Sequence, residues 1–142
     1  MSRIAILTAD RNADIWIAYK SLKKDFKKGS KIYYLPELDD RFLHPVNLIN
    51  FVKKEVKCAI ESDMDLLIVT YSEEVFIGIR CVIKEYGYNN AELYFVIKKL
   101  NKKQELIKDY IKDNGSYNCR LDLFDAWDNA VDELFGLGIG GN

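Results

Sequence analysis

The run Leu66-Leu67-Ile68-Val69, preceded by Asp65 and closed by Thr70, narrows the fold more than any other feature of the chain. In an extended segment, consecutive side chains point to opposite faces of a sheet, so four apolar residues in a row need cover on both faces. A largely parallel sheet with helices above and below provides that cover. Asp65 to Thr70 is therefore expected to be a central strand.

The flanking sequence supplies the other layers. Arg3 to Leu7 is a short apolar strand, and Asp10 or Asn12 is placed to cap the helix after it. In that helix Ile15, Tyr19, Leu22 and Phe26 recur at helical spacing, and Gly29 ends it. Lys23, Lys24, Lys27 and Lys28 read as a solvated face whose charges answer the helix C-terminus. A second strand spans Lys31 to Leu35 and stops at Pro36, which has no amide hydrogen for a ladder. Pro45 opens a second helix that runs to about Ser62, with Ile49, Val52, Val56 and Ala59 or Ile60 inward. Ser72 caps a third, with Glu73 and Glu74 at its positive end and Gly87 as a left-handed stop. Its stripe is Phe76, Ile79, Val82 or Ile83, and Tyr86. A fourth strand spans Glu92 to Ile97. Glu105 to Lys112 suits either a helix or, before the turn Asp113-Asn114-Gly115, a hairpin edge strand. A last amphipathic helix is expected over about Leu121 to Phe135, before a glycine-rich tail, 136–142, expected to be mobile. The whole predicts one α/β domain over 1–135, with a mainly parallel sheet of four to six strands.

Composition sets outer limits. In 142 residues, 49% hydrophobic and 13% aromatic, there is enough apolar surface for a core, which argues against disorder. A formal net charge of −1 gives no global reason to expect nucleic acid or a membrane surface. Cys58, Cys81 and Cys119 are far apart, and His44 is the only histidine, so neither a zinc site nor any other metal or cofactor is expected. No apolar run suggests a leader or a membrane span, and a reducing cytoplasm is the expected location.

One ordered set of short motifs points further. Ile32-Tyr33-Tyr34-Leu35-Pro36-Glu37, then Leu43-His44-Pro45 opening a helix, then a strand ending Thr70-Tyr71-Ser72, resembles the Walker B to H-loop segment of ABC-type ATPases. The similar branch is the SMC/RecF-like group, including stand-alone ATPases of bacterial and phage conflict systems. The likeness extends from about Asn12 to Phe135, covers the C-terminal half of such a domain, and implies a strand over Glu105 to Lys112. The chemistry of that family is not kept. No Gly-x-x-x-x-Gly-Lys-Ser/Thr loop occurs, and Tyr33-Tyr34-Leu35 stands where the family places its acids. The signature helix begins near Ala13-Asp14-Ile15, and Tyr71 replaces the switch histidine.

The resemblance thus implies a non-catalytic ATPase-like domain working through protein contacts with an ABC-type ATPase or its associated subunit. The family's usual company suggests a phage or mobile-element regulator or decoy. Tyr33, Tyr34, Tyr71, Tyr86, Tyr88 and Tyr94 are read as exposed and suited to an interface, whereas Trp16 and Trp127 are read as core anchors. Two rivals remain at this stage. A small nucleotide-binding protein or hydrolase would use Glu37, Asp39, Asp40 and the Thr70-Tyr71-Ser72 strand end, although these acids read first as solvated loop residues and His44 as a corner residue. A nucleic-acid-binding accessory protein would use the lysines of 20–31 and 98–103.

Overall fold

The computed structural model describes residues 1–10, 12–37, 45–98 and 100–117. They form an α/β layered fold with a five-stranded, mainly parallel sheet. In chain order the elements are β1 (Ile4–Ala9), α1 (Ile15–Lys23), β2 (Lys31–Tyr34) with a 3-10 turn (Leu35–Glu37), α2 (Pro45–Ser62), β3 (Leu66–Val69), α3 (Glu73–Tyr86), β4 (Ala91–Ile97) and β5 (Glu105–Ile111). The expected helix over 121–135 and the tail lie outside the described residues.

Across the sheet the order is β2-β3-β1-β4-β5, with β5 alone antiparallel, paired to β4 from Ile97 opposite Glu105 to Ala91 opposite Ile111. The middle strand is β1. β3 is interior as expected, paired on both sides and buried on both faces, one place from the middle. The alanines of Ile4-Ala5-Ile6-Leu7-Thr8-Ala9 look weakly apolar in sequence, yet all six residues are buried, because small side chains let a helix approach the sheet closely.

Alternation along the strands sorts two cores. Ile4, Ile6, Leu66, Ile68, Leu93, Phe95 and Ile111 meet Val52, Val56 and Ala59 of α2 and Phe76, Ile79 and Ile83 of α3. Ala5, Leu7, Ala9, Leu67, Val69 and Val96 on the opposite face meet Ile15, Ala18, Tyr19 and Leu22 of α1. Helices α2 and α3 cross closely at Gly78, where a Cβ would stand 3.1 Å from Ile49 Cγ2.

Local chemistry explains the element ends. α1 is capped not by Asp10 or Asn12 but by Asp14, whose Oδ1 accepts from the Trp16 amide at 3.0 Å. Asp10 instead closes a tight turn, its carbonyl accepting from Ala13 N at 2.9 Å. The helix ends at Lys23, well before Gly29, which sits in the next turn at φ 99°. Phe26 therefore lies beyond α1, under the guanidinium of Arg3 at 4.3 Å. α3 has the expected bounds, with Ser72 Oγ accepting from Val75 N at 3.2 Å and Gly87 left-handed at φ 58°. Tyr86 is exposed, not part of the α3 stripe, and its hydroxyl donates to Glu61. Trp16, expected in the core, is 41% exposed because it faces outward on the first turn of α1.

Candidate functional site at the strand ends

β1 and β3 are neighbours, but the chain leaves them toward opposite faces, to α1 from one and to α3 from the other. Divergence of this kind opens a crevice at the carboxyl ends of the two strands, where open α/β sheets take ligands. Asp10 follows β1 at this end of the sheet, and Thr70, Tyr71 and Ser72 follow β3.

Tyr71 crosses that crevice. Its hydroxyl donates to the Ala13 carbonyl at 3.1 Å and accepts from the Ile15 amide at 3.3 Å. From the far side of the sheet, Gln104 Oε1 accepts from the Asp14 amide at 2.9 Å while its Nε2 donates to the Asp14 carbonyl at 3.1 Å. With Trp16 N given to the Asp14 carboxylate, the amides of residues 14, 15 and 16 all have internal acceptors. A helix N-terminus binds anions through amides of this kind when they are left open. Here they are committed.

The start of α3 is arranged against anions as well. Thr70 Oγ1 accepts from Ser72 N at 2.9 Å, Ser72 Oγ donates to Glu74 Oε2 at 3.1 Å, and Glu73 and Glu74 bring negative charge to the first turn. On the α2/α3 face, Thr8 stands opposite Phe95 in the ladder. It is fully buried, and among the described residues its Oγ1 has no hydrogen-bond partner.

The residues singled out from the sequence fall in different places. Leu35 is fully buried in the α2/α3-side core, Pro36 is half-buried, and Glu37 closes the 3-10 turn, which packs against β3. Asp39, Asp40 and His44 lie outside the described residues. Tyr33 and Tyr34, adjacent in β2, serve opposite faces. Tyr33 stacks edge-on to Phe51 at 5.3 Å and donates to Glu55 at 2.9 Å. Burial and that bond push its phenol up to about 12. Tyr34 joins Trp16 and Tyr19 on the α1 side, at ring separations of 5.1 and 4.9 Å. The hydrogen bond to Glu61 raises the Tyr86 phenol to about 12.

Tyr88 and Tyr94 were expected at the surface and are buried. The Tyr88 hydroxyl donates to the Ser2 carbonyl and meets Ser2 Oγ at 2.7 Å. The Tyr94 hydroxyl donates to Glu92 at 2.6 Å and accepts from Arg3 at 3.0 Å, while Arg3 Nε reaches both Glu92 oxygens at 2.9 and 2.8 Å. A tyrosine whose hydroxyl finds an internal partner packs as a core residue, and nothing in the local sequence announces those partners.

Sequence reasoning missed the aromatic group of Trp16, Tyr19 and Tyr34, although the first-turn position of Trp16, off the Ile15-Tyr19-Leu22 stripe, was the available signal. It also missed Arg80, which is fully buried over Tyr117 at 4.7 Å and donates to the Gly115 carbonyl at 2.8 Å. Cys58 and Cys81 are free and half-buried, and burial raises the Cys81 thiol. Among the described residues, no three His, Cys, Asp or Glu side chains are grouped to hold a metal ion, and no helix is long and apolar enough to cross a membrane. No family model, curated protein or solved structure matches this chain.

Proposed function

We propose that the chain is a non-catalytic domain, shaped like the C-terminal half of an ABC-type ATPase, that acts by contact with a protein partner. The observation that supports this reading most is the closure of the β1/β3 crevice by Tyr71. Its hydroxyl occupies the position at the start of α1 that a ligand oxygen would need, with bonds to Ala13 and Ile15. The surface around that closure is aromatic and open: Trp16 and Tyr71 are 41% and 37% exposed, and Ile17 is 56% exposed. Aromatic side chains displayed beside a sealed crevice suit docking better than turnover. The partner we propose is an ABC-type ATPase or a subunit associated with one.

Two measurements test this. Mixed with purified candidate ATPases, the protein should co-elute with one of them or change its turnover, and the absence of both effects overturns the reading. Calorimetry against magnesium-ATP should give no heat of binding. Micromolar binding that is lost in an Asp39→Asn, Asp40→Asn variant would establish instead a nucleotide site that uses Asp39 and Asp40.

A further inference from the structure

The exposed surface of α1 combines two properties that a helix face without a partner has no need to combine. Its N-terminal end carries Trp16 and Ile17, both facing solvent, with Trp16 braced edge-on by Tyr34 and tilted against Tyr19. Its C-terminal end carries Lys20, Lys23 and Lys24, all exposed, and none of them is in an ion pair among the described residues. From Lys20 to Lys31 the chain holds six lysines and one acid, Asp25. Compensation of the helix dipole accounts for lysines in the last turn. It does not account for a tryptophan and an isoleucine turned outward at the first.

We propose that this face binds an acidic, amphipathic segment of a partner protein, its apolar side chains on Trp16 and Ile17 and its carboxylates along Lys20, Lys23 and Lys24. The inference rests on the reading of the chain as a protein-contact domain and names the chemistry of the contact. Charge complementarity selects an acidic occupant, and the aromatic anchor with a basic border has the make-up of an interface core and rim. A single-stranded nucleic acid fits less well. Stacking needs an aromatic face left open to a base, whereas the Trp16 ring is flanked by Tyr19, Tyr34 and the Lys20 ammonium at 6.0 Å. Ile17 offers a base or a phosphate nothing.

The test is fluorescence anisotropy of the full chain with three labelled probes at low and moderate salt. They are a 15-residue peptide with an apolar helical stripe and Asp or Glu elsewhere, the same stripe with Lys elsewhere, and a 15-nucleotide oligothymidine. The acidic peptide should bind, weaken several-fold with added salt, and lose at least tenfold in affinity on Ile17→Ser and on the pair Lys20→Glu, Lys24→Glu. Both variants alter exposed side chains, and unchanged melting curves check that they fold. Binding of the acidic peptide that is indifferent to both variants, or no binding, overturns the inference. Preference for the lysine peptide through Ile17 overturns the acidic partner but leaves the protein-contact reading standing. Oligothymidine bound through the same residues overturns both.

Discussion

A hydroxyl shut away from water without a partner gives up its hydration and gains no bond in return, at a cost of about 1–3 kcal/mol. Among the described residues, Thr8 is in that position near the end of the middle strand. Thr8→Val keeps the shape and removes the orphan, so it should stabilise the protein by about 1 kcal/mol, read as a higher urea midpoint at unchanged slope. Tyr71→Phe should act in the opposite direction, because it strips the Ile15 amide and Ala13 carbonyl of their shared partner. The loss expected is about 1 kcal/mol. Tyr33 makes a prediction in pH. Its phenol is raised from about 10 in the unfolded chain to about 12 in the fold, so the folded state holds the proton more tightly. That contribution is complete below pH 10 and is lost as pH rises toward 12. Melting temperatures should fall over this window, and less steeply in Tyr33→Phe. Tyr88 and Tyr94, also raised by burial, leave a residual slope.

Elements show which parts of the structure a sequence discloses. α3 was legible at both ends, because capping and termination are written in single residues: Ser72 before Glu73-Glu74, and Gly87 where a left-handed residue is needed. Ser72→Ala should cost about 1 kcal/mol, measurable by thermal unfolding. α1 was legible in its buried stripe but not at its ends, since Asp10, Asn12 and Asp14 all look like caps. The choice fell to the turn that Asp10 closes with Ala13. The strand nature of Glu105–Ile111 depended on pairing with β4, a partner eight or more residues away in sequence that no local pattern contains. At the candidate site, Thr70-Tyr71-Ser72 could be read as a strand end. The grip of Tyr71 on α1 could not, because it joins residues 56 and 58 positions apart. Packing between helices is equally silent in sequence. Gly78 lies against Ile49 and Lys53 of α2, and Gly78→Leu should destabilise by about 1–3 kcal/mol through overpacking.

Over the whole molecule, stability should be graded from the middle of the sheet outward. β1 is bonded on both sides and covered on both faces, whereas among the described residues β2 and β5 each pair with one strand and carry mostly half-buried or exposed residues. Hydrogen–deuterium exchange should therefore find the amides of β1 and β3 slowest and those of β5 among the fastest, a ranking set by the cost of local opening. The start of α1 has a consequence on the same scale. It is held by Tyr71 from the β3 side and by Gln104 from the β5 side, so one helix end buckles together strands that never touch each other. A lineage that acquired ligand binding at this place would have to undo both clasps. Shortening Tyr71 alone leaves Asp14 held by Gln104, and replacing Gln104 alone leaves Ile15 held by Tyr71, so neither first step uncovers a whole cradle for selection to act on. Once two side chains share a closure in this way, the route to an open site has no rewarded intermediate.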